Sequence, residues 1–280
     1  MAQFHPPDLS VLKDKVVVIT GGALGIGSQL VRLCHSHGAH VFFGDVLTEP
    51  AEKLVEELSV SAADSASGPA PKIYFVRTDV SDYQDNLKLF DTAYQTCGRI
   101  DHAVSAAGMP KESLKVMDIN LLGPLYFARI ASVYLRQPAL NDKASTNQAD
   151  KSLTLVSSIA GFTEAPGLFV YSTAKHGVYG LMRALRGVLI KSSPQAIRTN
   201  AICPWMTETR LVSGIEDAWH KAGLPRNTPM DVAKIIGGVM ADPKLNGGAL
   251  LVEGGRAWEV EQGIDRTQPQ WMGERLSADF

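Results

Sequence analysis

The amino-acid sequence predicts an α/β fold, a single-domain doubly wound parallel sheet of about seven strands with helices on both faces. Three observations predict it. Short apolar runs alternate with longer amphipathic stretches, the runs are almost continuously apolar, and the first run leads directly into a glycine-rich turn. Near-continuous apolar character is typical of parallel strands that are buried on both faces.

The individual elements follow from this alternation along the chain. Seven apolar runs are predicted as strands: Val16–Thr20, His40–Gly44, Ile73–Arg77, His102–Ser105, Leu153–Ser157, Thr199–Cys203 and Ala249–Val252. Five intervening stretches have helical periodicity and are predicted as helices: Gly27–His37, Ala51–Leu58, Gln84–Cys97, Leu114–Leu135 and Ser172–Lys191. The polar segments 59–71 and 141–151 are predicted as surface loops.

We interpret residues 13–258 as the one domain, preceded by an N-terminal extension, 1–12, and followed by a C-terminal tail, 259–280. The segment 205–229 interrupts the alternation after a predicted strand, on the edge of the sheet where such folds bind ligands. It is either a flap over a substrate or an ordinary surface loop.

Composition excludes several classes of function. The net charge is −2 over 280 residues, so no basic excess indicates a nucleic-acid or anionic membrane surface. The three scattered cysteines, Cys34, Cys97 and Cys203, are expected to be free thiols in a reducing compartment, and no metal site is predicted. No secretory signal or membrane span is apparent, so we expect a cytoplasmic protein.

The turn after the first strand carries Gly21, Gly25 and Gly27. Glycines at this spacing let the backbone turn tightly, so that Ile26 and its neighbours bring amide groups and a helix N-terminus to a pyrophosphate. The strand–turn–helix context therefore predicts a Rossmann-type dinucleotide site.

Acidic and small residues follow the next strands. Asp45 ends the second strand, where a carboxylate can accept hydrogen bonds from both hydroxyls of an adenine ribose and repels a 2′-phosphate. NAD(H) is therefore favoured over NADP(H), whereas a helix-capping role for Asp45 is disfavoured by its distance from the predicted helix. Two further groups are expected to contact the cofactor, namely Asp79 with Val80 at the adenine, and Ala106, Ala107 and Gly108 along the backbone.

Four polar residues form a candidate catalytic set. Tyr171 and Lys175 stand four residues apart and so share one face of a helix. Ser158 follows the fifth strand, and Asn120 lies within the long fourth helical stretch. Each of these residues taken alone is more typical of a surface contact or a turn.

The ordered set of motifs TGGALGIG, Asp79-Val80, SAAG, Asn120, Ser158 with YSTAK, and NAICP resembles the short-chain dehydrogenase/reductase family. The resemblance extends from Lys13 to about Trp258. It implies that Tyr171 is the general acid/base, that Lys175 favours its phenolate and holds the nicotinamide ribose, and that Ser158 polarises the substrate oxygen. It also implies that Asn120 bends its helix and anchors a water in a proton relay.

The chain departs from the family pattern at two places. Ser105 begins the turn where the family has Asn, and Trp205 follows Pro204 where the family usually has Gly. The resemblance implies nicotinamide contacts from the segment that contains Pro204, Thr207 and Thr209. A bulky indole there is expected to shape the substrate pocket, which we predict to be formed by Ser158, Phe162, Trp205 and Met206.

A looser similarity to fungal secondary-metabolite enzymes and hydroxyprostaglandin-dehydrogenase-like members implies a bulky, largely apolar secondary alcohol or ketone. Two alternatives stay open, an NADH-dependent biosynthetic ketoreductase and a non-catalytic NAD-binding regulator. The resemblance also implies a homodimer or homotetramer packed through the two long helices. A monomer that buries those helices against its own sheet is the alternative.

Overall fold

A computed structural model of the chain describes residues 2–63, 71–109, 112–140, 150–192, 195–212, 219 and 221–277. Its strands are β1 (Ala2–Phe4), β2 (Val16–Thr20), β3 (His40–Asp45), β4 (Ile73–Arg77), β5 (His102–Ser105), β6 (Ser152–Val156), β7 (Arg198–Pro204), β8 (Ala249–Glu253) and β9 (Arg256–Glu259). They form one sheet in the order β1-β9-β8-β7-β6-β5-β2-β3-β4. Helices cover both faces, so the predicted doubly wound α/β fold is confirmed.

The strand count differs from the prediction. All seven predicted strands are present and pair in parallel from β4 to β8. The two further strands pair antiparallel at one edge, β9 with β8 and β1 with β9. Gly254 and Gly255, both with positive φ, return the chain from β8 into β9. These edge strands lack a continuous apolar run, which is why periodicity did not predict them.

The longer helices form the two outer layers. They are α1 (Gly25–Ser36), α2 (Thr48–Ala63), α3 (Tyr83–Cys97), α4 (Lys115–Met117), α5 (Gly123–Tyr134), α6 (Phe169–Ile190), α7 (Pro229–Ala241), α8 (Glu261–Met272) and α9 (Glu274–Ser277). Helices α1, α2 and α7 contribute to the core on one face of the sheet, and α3, α5 and α6 to the core on the other. A π-helical turn, Asp118–Leu122, joins α4 to α5.

The structure agrees with only part of the loop predictions. Helix α2 extends to Ala63, so the start of the predicted loop 59–71 is helical. Residues 64–70 and 141–149 lie outside the described part of the chain, as do 213–218 and 220 within the segment predicted as a flap or loop. The segment set apart as an N-terminal extension supplies strand β1.

The C-terminal tail is tied to the long helix α6. Glu261, which is buried, accepts hydrogen bonds from Arg183 Nε at 3.0 Å and from Arg186 at 2.9 Å. This ion-paired cluster anchors α8 beside the sheet. Across the described residues, no helix combines the length and the apolar character that crossing a bilayer requires.

Candidate functional site

A cavity of about 1060 Å³ opens at the carboxyl edge of the parallel strands. The strand order reverses between β2 and β5, and this reversal creates the crevice in which open α/β sheets bind ligands. Eighteen of the predicted site residues line the cavity: Gly21, Gly25, Ile26, Gly27, Asp45, Asp79, Val80, Ala106, Ala107, Gly108, Ser158, Tyr171, Lys175, Pro204, Trp205, Met206, Thr207 and Thr209. Asn120 and Phe162 do not line it.

The glycine turn is shaped by close backbone approaches. Gly21 has a φ of +74°, and a Cβ there would lie 2.6 Å from the Cα of Ala107. A Cβ on Gly27 would lie 2.0 Å from the carbonyl oxygen of Gly21. Helix α1 begins after Leu24 without a side-chain cap. The amide groups of its first turn are therefore available to an anionic group such as a pyrophosphate.

Two carboxylates, Asp45 and Asp79, also line the cavity. Asp45 accepts hydrogen bonds from the backbone N–H of Ala23 and of Leu47, each at 3.0 Å. Leu47 immediately precedes α2, so Asp45 stabilises this turn as well as lining the cavity. Asp79 accepts hydrogen bonds from the hydroxyl and the backbone N–H of Ser81, and these lower its pKa despite partial burial.

Tyr171 and Lys175 lie on successive turns of α6, with Lys175 Nζ 5.7 Å from the centre of the Tyr171 ring. Burial raises the pKa of the Tyr171 hydroxyl, and a hydrogen bond with the Ser158 side chain partly offsets that effect. Burial also lowers the pKa of Lys175 to about 8. Its ammonium group donates to the carbonyl of Val156 at 3.0 Å. The structure thus brings Ser158, Tyr171 and Lys175 together on one wall of the cavity.

Side-chain hydrogen bonds hold α6 against the end of β6. Ser157 Oγ donates to the carbonyl of Lys175 at 2.8 Å, and Ser172 Oγ donates to the carbonyl of Ala160 at 2.9 Å. Ser158 Oγ accepts from the backbone N–H of Ala160 at 3.2 Å. These contacts fix the distance between the turn that carries Ser158, just after β6, and the helix that carries Tyr171.

Glu112 is a residue that the sequence reasoning missed. Its carboxylate accepts hydrogen bonds from the backbone N–H of Val170 at 2.8 Å and of Tyr171 at 3.1 Å. Leu168, the residue at the helix N-cap, makes no side-chain capping bond, so Glu112 supplies the cap from a distant loop. A cap of this kind has no local motif, and only the folded chain reveals it.

Asn120 lies behind the cavity wall in the π-helical turn. It is fully buried, and its side-chain amide forms two hydrogen bonds of 2.9 Å with the backbone of Met109, one to the N–H and one to the carbonyl. Met109 itself lines the cavity. Asn120 therefore holds the loop after β5 against the turn.

Phe162 does not lie where the predicted substrate pocket placed it. Its ring packs on Tyr179 of α6, with 5.7 Å between ring centroids. The turn Ile159–Gly161 carries the chain back towards the core before Phe162, which directs this side chain away from the cavity. Trp219 lines the cavity instead and packs against Trp205. Among the residues described, no group of three or more His, Cys, Asp or Glu side chains is arranged to hold a metal ion.

A parallel sheet whose strand order reverses beside a glycine turn is typical of dinucleotide-binding folds. The profile of the short chain dehydrogenase family matches residues 15–219. The chain belongs to this family, and it is an alcohol/ketone oxidoreductase with a site for a nucleotide cofactor.

Similar proteins include fungal members of the family. The short-chain dehydrogenase/reductase ascJ of Acremonium egyptiacum is 33% identical over 92% of this chain and 84% of its own length. The 5'-hydroxyaverantin dehydrogenase of Dothistroma septosporum is 26% identical over 96% of this chain and 93% of its own length. These relatives confirm the resemblance to fungal members.

Solved structures show the same fold. The crystal structure of gox2181 is 25% identical to this chain, with a TM-score of 0.72 over 88% of this chain and 98% of the other. A variant of actinorhodin polyketide ketoreductase with NADPH is 21% identical, with a TM-score of 0.70 over 86% of this chain and 97% of the other. At that identity the second likeness concerns the fold alone.

Proposed function

We propose that this protein is an NAD(H)-dependent oxidoreductase that interconverts a secondary alcohol and a ketone on a bulky, largely apolar small molecule. The observation that carries this proposal is that Ser158, Tyr171 and Lys175 share one cavity with the glycine turn and Asp45. A binding module without chemistry has no use for a buried phenol beside a buried ammonium group.

The residues of the cavity fit a nicotinamide dinucleotide, which supplies the hydride when bound. The uncapped start of α1 and the close turn at Gly21 suit a pyrophosphate. Lys175 has three N–H donors, of which one is used by Val156, so two remain for ribose hydroxyls.

Proton transfer in this proposal falls to Tyr171. Its hydroxyl gives a proton to the oxygen of a ketone during reduction and takes one from the alcohol during oxidation. Burial raises the pKa of Tyr171, and the hydrogen bond with Ser158 lowers it. The ammonium group of Lys175, 5.7 Å from the centre of the Tyr171 ring, would favour the phenolate further. Ser158 Oγ accepts from Ala160, and its O–H, which hydrogen-bonds to the Tyr171 hydroxyl, would turn to the substrate oxygen as negative charge develops there. Asn120 positions the loop through Met109, and its share in a proton relay rests on the family resemblance.

The choice of NAD(H) rests on Asp45. Its carboxylate lines the cavity and is held by two backbone amides, so it cannot turn away from a ribose without losing both bonds. Two similar structures that contain NADP or NADPH are 19% and 21% identical to this chain. At that identity they indicate a shared fold and not a shared cofactor preference. A fixed negative charge at this position supports a cofactor without the 2′-phosphate.

The direction of the reaction is a matter for kinetics, because the same residues serve oxidation and reduction. The 5'-hydroxyaverantin dehydrogenase among the relatives supports alcohol oxidation, and the actinorhodin ketoreductase shares only the fold. Turnover of cyclic secondary alcohols with NAD⁺, compared with that of their ketones with NADH, would decide between a dehydrogenase and a biosynthetic ketoreductase.

The experiment that tests the proposal is Tyr171→Phe, which removes the hydroxyl and keeps the ring. We expect turnover to fall by about 10²- to 10⁴-fold while the dissociation constant for NADH stays within about twofold. Tyr74→Phe, on the exposed edge of β4, is the matched control. Full turnover by Tyr171→Phe would overturn the proposal.

We also propose a homo-oligomer packed through α5 and α6. Phe127 and Ile130 are buried in the core of the chain, but Leu125, Val133 and Val188 are exposed on these helices. Exposed aliphatic side chains on two neighbouring helices favour a partner surface. Light scattering during size-exclusion chromatography tests this, and a monomer at micromolar concentration would contradict it.

A further inference from the structure

Two tryptophans form one wall of the cavity beyond the end of β7. Trp205 and Trp219 both line it, with ring centroids 5.3 Å apart and ring planes inclined at 59°. Trp205 occupies the position after Pro204 at which members of the family usually carry glycine. The chain therefore has a large aromatic surface where the family pattern leaves open space.

This aromatic surface is held firmly. The backbone N–H of Trp205 donates to the carbonyl of Val252 at 2.8 Å, and its own carbonyl accepts from Thr207 Oγ1 at 3.0 Å. The indole N–H of Trp219 donates to the carbonyl of Pro225 at 3.1 Å. A surface that is already ordered loses little conformational freedom when a ligand packs on it.

The tryptophans lie beside the residues assigned to chemistry. The N–H of Ser157 donates to the carbonyl of Ile202 at 2.8 Å and so pairs the ends of β6 and β7. Ser158 and Trp205 therefore follow the ends of adjacent strands, which are about 4.8 Å apart in a sheet. A substrate oxygen held by Ser158 places the neighbouring part of the substrate next to the indole.

The ring of Trp205 matters here more than its N–H. That N–H is buried and has no hydrogen-bond partner among the described residues. Since an unsatisfied buried donor is destabilising, phenylalanine would serve better if apolar bulk alone were needed. What tryptophan adds is a larger π surface, which packs on aromatic rings in offset or edge-to-face geometry.

We infer that Trp205 and Trp219 select substrates whose ketone or carbinol carbon is attached to a planar aromatic ring system. This inference rests on the proposed function, because Ser158 must hold the substrate oxygen. The substrate class is thus narrowed from a bulky apolar alcohol or ketone to a benzylic alcohol or aryl ketone.

A matched pair of ketones tests the inference. In 1-tetralone the carbonyl is fused to an aromatic ring, whereas trans-1-decalone has the same bicyclic skeleton fully saturated. We would measure the binding of each by calorimetry to NADH-saturated Tyr171→Phe protein, so that turnover does not interfere. We expect 1-tetralone to bind about 2- to 10-fold more tightly, and Trp205→Ala to bring the ratio of affinities close to one.

Three further variants sharpen the result. Trp205→Phe keeps a ring and should retain part of the preference. Trp219→Leu leaves the backbone bonds of Trp205 in place, and it should lower the same ratio even if Trp205→Ala fails to fold. Trp271→Ala, on an exposed side chain of α8, should leave the ratio unchanged.

Equal affinity for the two ketones, no measurable binding of 1-tetralone, or a preference that survives both Trp205→Ala and Trp219→Leu would overturn the inference. Loss of NADH affinity in Trp205→Ala with the ketone ratio intact would also overturn it, because the indole would then serve the cofactor. The proposed function fails by a different observation, namely unchanged turnover in Tyr171→Phe.

Discussion

Replacing Lys175 by methionine is expected to stabilise the cofactor-free protein near pH 7, although it removes a residue assigned to catalysis. Lys175 is 5% exposed, and among the described residues no carboxylate forms a salt bridge with it. Cys203 nearby offers no negative charge, because burial raises the pKa of its thiol to about 12. The ammonium group is therefore buried with little compensation.

The magnitude follows from the pKa. Burial lowers the pKa of Lys175 from 10.5 to about 8, which corresponds to about 3 kcal/mol of destabilisation while the group is charged. Methionine also loses the hydrogen bond to Val156, worth about 1 kcal/mol. We therefore expect Lys175→Met to raise the free energy of unfolding at pH 7 by about 2 kcal/mol.

The pH dependence has a definite sign. The unfolded lysine releases its proton near pH 10.5 and the folded one near pH 8, so the unfolded state binds more protons between these values. The stability of the wild-type protein should rise relative to Lys175→Met as the pH increases from about 8 to about 10.5. Below about pH 8 the full cost of the buried charge is present.

Urea denaturation without cofactor, followed by tryptophan fluorescence at several pH values from 7 to 10, measures both effects. Lys53→Met is the control, since that side chain is 72% exposed and should change stability by less than about 0.5 kcal/mol. A Lys175→Met protein that is less stable at pH 7, or a stability difference that does not change with pH, would refute the reasoning.

Three further predictions concern other parts of the chain. Glu112→Ala should cost about 1 kcal/mol of stability and lower kcat several-fold with little change in KM, and an unaltered kcat well below the melting temperature would show that the cap is only structural. Asp45→Ala should lower the ratio of kcat/KM for NADH to that for NADPH by about tenfold or more, and an unchanged ratio would remove Asp45 from cofactor selection. Burial raises the pKa of Asp101, but the charge of Lys151, which donates to it at 2.8 Å, contributes to holding that pKa at about 2. Lys151→Met leaves Asp101 with Arg99 and the backbone N–H of Val16, so it should destabilise the protein by about 2 kcal/mol in urea denaturation, and a loss below about 0.5 kcal/mol would contradict this.

Much of the fold could be predicted because its signals are local in sequence. A run such as Val16–Thr20 is apolar throughout, since both faces of an inner parallel strand are buried, and seven such runs appear as strands. Strand β9 returns from β8 through a glycine turn, lies next to the edge strand β1 and is only half covered. Its pattern therefore carries no continuous apolar signal.

The residues of the candidate site likewise fall into those that local sequence signals predict and those that they do not. Motifs at a strand end or on one helix face are read from spacing, and for this reason Gly21, Asp45, Ser158, Tyr171 and Lys175 were predicted to share a site and do line one cavity. Residue type and the ordered spacing of the motifs were sufficient to predict that these residues share one cavity.

Tertiary structure decided what depends on contacts between distant segments. Glu112 reaches the start of α6 from another loop, Trp219 joins Trp205 from beyond the 3-10 turn Arg210–Val212, and Phe162 turns into the core instead of the cavity. None of these placements has a period or a motif, because each depends on how two elements pack. The sequence alone determined the fold class and the polar groups available for chemistry. Only the folded chain determined which side chains cap the site helix, line the cavity and position the catalytic groups. These placements depend on contacts between residues that are far apart in sequence.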